Sequence, residues 1–355
     1  MNNFYGGFDR VAFETPEEKL AKKKRLKKLF SRTFLALFLY AVTSYCAAIG
    51  IYAVAHAILS PEKYEALCNN YALTILFNYA AQYLIAFPVL LLSLIGTEKA
   101  TPKEKTKLSL SDFIFLFLIG QSAMFVGNYI GTYLNQLIGN LTGTVPENSI
   151  ANMIAKTPIW LVFAIVVVIG PIIEELIFRK IVIDRISIYG DRVAIIFSAV
   201  AFGFMHCNLY QFFYATLLGI VFGYVYTATR DVRYTIAMHM LVNFINGLVA
   251  LPVERAIRKF YELIEVASLG EKISFTDLFT SGAITITYTN MHYGMIIGGV
   301  IALVHFIRKK KIRVSSEKEV FLPNKEIYKH GILNVGAILF VILTVMLTVF
   351  NTIYS

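Results

Sequence analysis

Three short stretches of this 355-residue chain hold side chains that do acid–base chemistry. The first, PIIEELIFRK (171–180), places Glu174, Glu175 and Arg179 directly after an uncharged run, LVFAIVVVIG. The second, FGFMH, ends in His206 with Phe202 four residues earlier, and the third, HMLVN, pairs His239 with Asn243. At 3.6 residues per turn, Glu175 and Arg179 share a helical face and can pair, while Glu174 points about 100° away. Phe202 and His206 lie one turn apart on a shared face. So do His239 and Asn243, and Asn246 continues that stripe.

An acid, two imidazoles and an amide suit hydrolysis of a peptide bond by an activated water. A carboxylate serves as general base and a histidine orients the water and moves its proton. A second histidine and an asparagine amide can donate to the developing oxyanion, a contribution of about 3 kcal/mol per donor. No covalent nucleophile is required: Ser198 and Cys207 lie near His206 without the flanking signature of a serine or cysteine hydrolase. Zinc is the competing chemistry, with Glu174, His206 and His239 as a two-His, one-carboxylate set and water as the fourth ligand. The H-E-x-x-H helix of many zinc hydrolases is absent. Asn243 is a poor zinc ligand and a good oxyanion donor, so the expectation is a site without a cofactor, with zinc as the alternative.

These groups sit in a chain that is 57% hydrophobic and 16% charged, with a mean hydropathy of +0.63. Soluble domains carry about a quarter charged residues. Uninterrupted apolar runs of about 20 residues, enough to cross ~30 Å of hydrocarbon, recur along the chain. The fold class expected is all-α, a polytopic transmembrane helical bundle of eight to nine spans. They are drawn at Phe34–Leu59, Tyr71–Ile95, Phe113–Ile138, Pro158–Ile183, Val193–Cys207, Tyr210–Thr229, Tyr234–Val253, Thr289–Ile307 and Gly331–Tyr354, the fifth being the shortest. Of the 33 Lys and Arg, 27 fall before the first span (1–33) and in 96–112, 179–192, 230–233 and 308–329. That asymmetry places the N-terminus in the cytoplasm. The formal charge of +10 is therefore mostly a topology signal. Runs such as KKKRLKK also suit anionic lipid headgroups, and nucleic acid is not an expected partner.

The organisation read from this pattern is a basic cytoplasmic tail (1–30), three N-terminal spans (31–149), a core of four spans holding the three stripes (150–253), and an outer loop with the C-terminal spans (254–355). No cleavable signal peptide is evident, because the first apolar run follows the basic tail and is too long for one. Cys46, Cys68 and Cys207 are scattered and imply neither a disulfide framework nor a zinc knuckle. GNYIG (127–131) and GIVFG (219–223) fit the small-xxx-small pattern of close helix packing. Measured at 1.5 Å per residue, His206 lies about 22 Å from Asp191, Glu174 about 15 Å from Asp184 and His239 about 8 Å from Arg233. Straight helices do not bring such unequal depths together, so tilt, kinks or local thinning of the bilayer must.

Taken singly, each group has a structural explanation: a helix-end ion pair for Glu175–Arg179, an interhelical hydrogen bond for His239. Their coincidence on three nearby spans does not, because ionisable groups in a bilayer are costly and usually face a polar interior with a task. The ordered set E-E-x-x-x-R, F-x-x-x-H and H-x-x-x-N resembles the three signature motifs of the CPBP family. That family comprises the CAAX proteases and bacteriocin-processing or immunity (Abi) proteins, and includes the Ras-converting CAAX endopeptidases. The resemblance covers roughly 150–252. It implies an intramembrane endopeptidase, glutamic or metal-dependent, in which Glu174 activates water with help from His206. His239 and Asn243 would form the oxyanion site, with Glu175, Arg179 and Phe202 supporting. It further implies a membrane-associated peptide or protein substrate, and relatives trim prenylated CaaX tails or serve bacteriocin immunity and peptide processing. The simple loops favour a bacterial plasma-membrane protein. Other readings of the same residues are a zinc-dependent protease, a proton-coupled transporter, and a non-catalytic scaffold or immunity protein.

Overall fold

The computed structural model describes residues 14–146, 148–309, 311–312, 314–315 and 317–353, without the side chains of 149–152 and 251. The first 13 residues of the expected tail and Tyr354, the expected end of the last span, lie outside the described residues. The chain forms α1 (Pro16–Ile58), α2 (Pro61–Cys68), α3 (Tyr71–Ser93), α4 (Leu110–Thr142), α5 (Ser149–Lys156) and α6 (Ile159–Tyr189). It continues with α7 (Asp191–Met205), α8 (Leu209–Thr229), α9 (Val232–Ser268), α10 (Phe275–Arg308), α11 (Asn324–Ile332) and α12 (Val335–Ile353). No strand occurs among the described residues. Eight of these helices are long and apolar enough to cross a membrane: α1, α3, α4, α6, α8, α9, α10 and α12. The all-α polytopic bundle expected from composition is the observed fold.

Three expectations are refined. The fifth segment, Val193–Cys207, is helical as α7 but only 15 residues long, about 22 Å, less than a bilayer crossing. The basic tail is helical from Pro16, where Thr15 and Glu18 form a reciprocal capping box, and runs straight into the first span. The seventh span does not stop near Val253: α9 carries on to Ser268, into what reads as an outer loop.

The basic segments gather at one end of the bundle. Arg25 donates to Glu98 at 2.7 Å. The Ala100 amide donates to the Asp184 carbonyl, Thr106 to Thr229, and Glu319 to Ile188. Arg179, counted with this rim from its position, is instead fully buried.

Two large apolar clusters, with a small third one at Ile75, Leu161 and Ile165, form the interior among the described residues. One joins α1, α6, α7 and α12 through Phe34, Phe178, Phe202 and Phe340. The other joins α4, α8, α9 and α10 through Phe125, Phe222, Met238 and Phe306. Glycines set the closest approaches: a Cβ on Gly127 would overlap the Tyr214 backbone, and one on Gly219 would lie 2.9 Å from the Ala199 Cα. Both belong to the small-xxx-small stretches, and with close helix packing as their role the pattern needs no other.

Candidate functional site

The three stripes meet between the two large clusters. The turn Gly170–Glu175 of α6 is flanked by wide π-helical stretches, Val162–Ile169 and Leu176–Ile183. A third, Phe244–Val249, begins directly after Asn243 in α9. Such turns are rare and recur at functional sites, where they redirect side chains without breaking the helix.

Glu175 is fully buried and answers two partners. Its Oε2 lies 3.0 Å from Arg179 Nε, with both side chains sealed from solvent. Its Oε1 lies 3.0 Å from His239 Nδ1. A carboxylate can only accept, so the imidazole carries its proton on Nδ1, and on the neutral ring Nε2 keeps the lone pair. That Nε2 stands 3.7 Å from Glu174 Oε2. Glu174 differs from its neighbour in one decisive respect: its side chain is 28% exposed, that of Glu175 0%. One carboxylate is structural and committed, the other reachable.

His206 ends α7. Its Nδ1 is 2.8 Å from the Phe202 carbonyl, again an acceptor only, so this ring also presents Nε2 unprotonated when neutral. Phe202 organises both imidazoles, its ring edge-on to His206 at 4.8 Å and to His239 at 5.8 Å between centroids. The Arg179 guanidinium packs over Phe202 at 4.7 Å and over Phe222 at 5.5 Å. Burying a cation costs several kcal/mol unless it is compensated. One carboxylate and two ring faces, one from each large apolar cluster, offset part of that cost, while among the described residues no hydrogen bond reaches Nε, Nη1 or Nη2.

Asn243 donates through Nδ2 to the Val166 carbonyl at 2.9 Å. The local chain explains why that carbonyl is free. In the π stretch the Gly170 amide turns to Ile165 O, and Pro171, the next residue, has no N–H to offer. Asn243 takes the vacancy with one amide hydrogen and retains a second. Asn246 donates to Gln121 Oε1 at 3.1 Å and to the Val242 carbonyl at 2.9 Å.

Glu174, His206, His239 and Asn243 all line one cavity of about 410 Å³. A second cavity of about 360 Å³ shares Glu174, Phe202 and His206 and reaches Tyr40, Ser44 and Cys207. Phe202 lines both cavities, and Glu175 and Arg179 stand behind the walls, in contact with His239 and Phe202. Glu174's close imidazole contact is with His239, while its relation to His206 is through the shared cavity walls. Phe222, the Val166 carbonyl and the Glu175–His239 bond were not foreseen. Only the second had a visible signal, in Pro171.

Two ligands 2.0–2.1 Å from zinc stand about 3.4 Å apart, and Glu174 Oε2 and His239 Nε2 come close to that at 3.7 Å. Among the described residues, however, no three His, Cys, Asp or Glu groups are placed to hold a metal ion. Glu174, His206 and His239 line one cavity, and zinc stays the alternative to a site without a cofactor.

Comparison with known proteins reaches the same segment. Residues 156–245 match the family model described as Type II CAAX prenyl endopeptidase Rce1-like. The match spans every motif position from Glu174 to Asn243. "Putative membrane peptidase YdiL" of Bacillus subtilis (strain 168) is 25% identical over 167 residues, 45% of this chain and 67% of that protein. "UPF0177 protein YbdJ" of Lactococcus lactis subsp. lactis is 30% identical over 137 residues, 38% of this chain and 58% of the relative. "Membrane-embedded CAAX protease MroQ" of Staphylococcus aureus is 30% identical over 115 residues, 30% of this chain and 45% of the relative. The chain thus spans between about half and two thirds of the length of these relatives. No solved structure matches it. The resemblance to the CAAX proteases read from three motifs holds over this segment, and it supports a membrane endopeptidase. With eight apolar helices and bacterial relatives, the chain is a multi-pass bacterial membrane protein.

Proposed function

We propose that this chain is an intramembrane endopeptidase that uses a water activated by Glu174 and His206. The observation that carries the reading is the division of labour between adjacent carboxylates: Glu175 is sealed against Arg179 and His239, while Glu174 faces the cavity. A base must reach water, and Glu174 is the carboxylate of the pair that does. Water bound between Glu174 and His206 Nε2 would lose a proton to Glu174 as its oxygen attacks the peptide carbonyl carbon. The oxyanion formed would accept from the second Asn243 N–H and from His239 Nε2–H. That last donor exists only on the doubly protonated ring, and Glu175 lies opposite to balance its charge. When the C–N bond breaks, the proton held by Glu174 passes to the leaving nitrogen. Arg179 touches neither substrate nor water in this scheme, and Phe202 only walls the cavity. They fix Glu175 and the two imidazoles.

The substrate is proposed to be a membrane-associated peptide or protein, with the Lys- and Arg-rich rim facing the cytoplasm and anionic lipid. The descriptions of the family model and of the staphylococcal relative make C-terminal CAAX peptides, with and without a prenyl group, the first substrates to test. The purified chain should be incubated in detergent with such peptides and with a quenched peptide library, in the presence and absence of chelator. Defined cleavage indifferent to chelator supports the reading. Cleavage abolished by chelator and restored by zinc would move the mechanism to a metalloprotease, and no cleavage of any peptide would count against the enzyme.

A further inference from the structure

His206 is the C-cap of α7, and the chain leaves it through an unusual turn. Cys207 has φ +47°, the left-handed region that a residue with a Cβ seldom adopts. The next residue, Asn208, caps α8 by accepting the Tyr210 amide at 2.8 Å. Two helices of the site are therefore joined by one left-handed cysteine, which is buried and lines the smaller cavity beside His206 and Glu174. Within the turn, the His206 amide reaches Gly203 O at 3.3 Å and that of Cys207 reaches Phe204 O at 3.1 Å. These are the tight contacts of a helix end, and neither holds the Cys207 carbonyl. That carbonyl accepts from Asn351 Nδ2 at 2.9 Å, from a residue 144 positions downstream in the last turn of α12.

We propose that Asn351 is a positioning residue for His206: its amide clamps the left-handed Cys207 turn, and the clamped turn aims the His206 ring at the cavity shared with Glu174. The inference rests on the hydrolytic role given to His206 under Proposed function. It adds a requirement that the matched segment 156–245 does not contain, because the clamp comes from the far end of the chain. A left-handed cysteine is held against its own preference, so the conformation persists only while its surroundings insist on it. Glycine adopts that conformation unaided. The turn thus needs Asn351 only as long as residue 207 carries a side chain.

The test uses the full chain with Cys46 and Cys68, both exposed, replaced by serine, so that Cys207 is the remaining thiol. Asn351→Leu removes the donor, and Asn351→Asp does so at nearly constant size should the leucine variant fold poorly. Two quantities are read: the rate at which N-ethylmaleimide modifies Cys207, and kcat and KM for peptide cleavage per folded molecule. Loss of one hydrogen bond is expected to speed labelling and lower kcat by about tenfold each, with KM within about twofold. Adding Cys207→Gly to Asn351→Leu is expected to restore most of kcat, a rescue that a merely stabilising contact would not give. Labelling at the wild-type rate overturns the clamp, whether or not the chain cleaves peptides. Faster labelling with unchanged kcat, or a loss that glycine does not rescue, overturns the link to His206. If the wild type cleaves nothing, the proposed function falls, while the labelling rate still decides whether Asn351 holds the turn.

Discussion

His239 hydrogen-bonds through Nδ1 to Glu175 at 3.0 Å, and Glu175 is paired through its other oxygen with a fully buried Arg179. One carboxylate thus ties a cavity-lining imidazole on α9 to a cation on α6. Structure and chemistry are coupled at this residue. Glu175→Gln or Arg179→Ala leaves a buried group without its partner, a loss of about 3–5 kcal/mol. The expected result is a lower melting temperature together with lower turnover. The double variant Glu175→Leu/Arg179→Met should recover stability relative to either single change, because an apolar pair needs no compensation. It should remain inactive, because His239 Nδ1 has lost its acceptor. Melting curves and initial rates on the same preparations check both halves. An active double variant would show that the Glu175 contact does not orient His239.

Phe202 stands between two histidines and an arginine. Phe202→Leu keeps an apolar side chain but removes the ring face under Arg179 and the edges against His206 and His239. A desolvated cation–π contact contributes about 2 kcal/mol, so a drop of that order in unfolding free energy is expected. A fall in kcat should accompany it as both imidazoles lose their stop. Unchanged kcat in the folded variant would reduce Phe202 to packing.

Asn243 carries two roles that one substitution cannot separate. Asn243→Ala orphans the Val166 carbonyl, which costs about 1–3 kcal/mol, and also removes the proposed oxyanion donor. Pro171→Ala supplies a backbone N–H at the position whose missing donor leaves that carbonyl free. In the Pro171→Ala background, Asn243→Ala should therefore cost less stability but still lose turnover by about 100-fold or more. Thermal melts and kcat across the four variants give the answer. Full activity of the double variant would remove the oxyanion role.

Asp231 precedes α9 and caps it by accepting the Arg233 amide at 3.1 Å, two turns before His239. Hydrogen bonds from the Arg233 side chain hold its carboxyl below the usual carboxylate range. A depressed folded value means the stability gained is complete above the unfolded value near ~3.9 and is lost as pH falls through the folded one. Asp231→Asn keeps an equally good cap and removes only the charge. Its melting temperature should lie below wild type near neutral pH, and the gap should close below about pH 4. A gap independent of pH would assign the residue's effect to capping alone.

Much of this site was legible before any coordinates. The Glu175–Arg179 pair follows from i,i+4 spacing, and the coincidence of acid, imidazole and amide on apolar spans follows from the cost of burying them. What sequence did not carry is register between helices. Spacing says that Glu174 and Glu175 diverge, but not that both face His239. The π turns were invisible for a related reason. VFAIVVVI (162–169) reads as an ordinary apolar helix, and only Pro171 hints that a carbonyl nearby goes unanswered. Phe222 sits inside GIVFG, where the glycines drew attention to packing and away from the ring that faces Arg179. Arg179 misled the charge count because an arginine near a rim and one under two aromatic rings look alike in a string.

The assignment of Glu174 as the water-activating base is tested most directly by one rate: peptide cleavage by purified Glu174→Gln, a change that preserves size, relative to wild type at equal amounts of folded protein. Loss of at least about 1,000-fold is expected, the combined effect of removing general-base assistance and water positioning, with the melting temperature unchanged because this side chain is partly exposed and outside the Glu175–Arg179 pair. Cleavage by Glu174→Gln within about tenfold of wild type would contradict the mechanism and move the search for a base to another group lining the cavity.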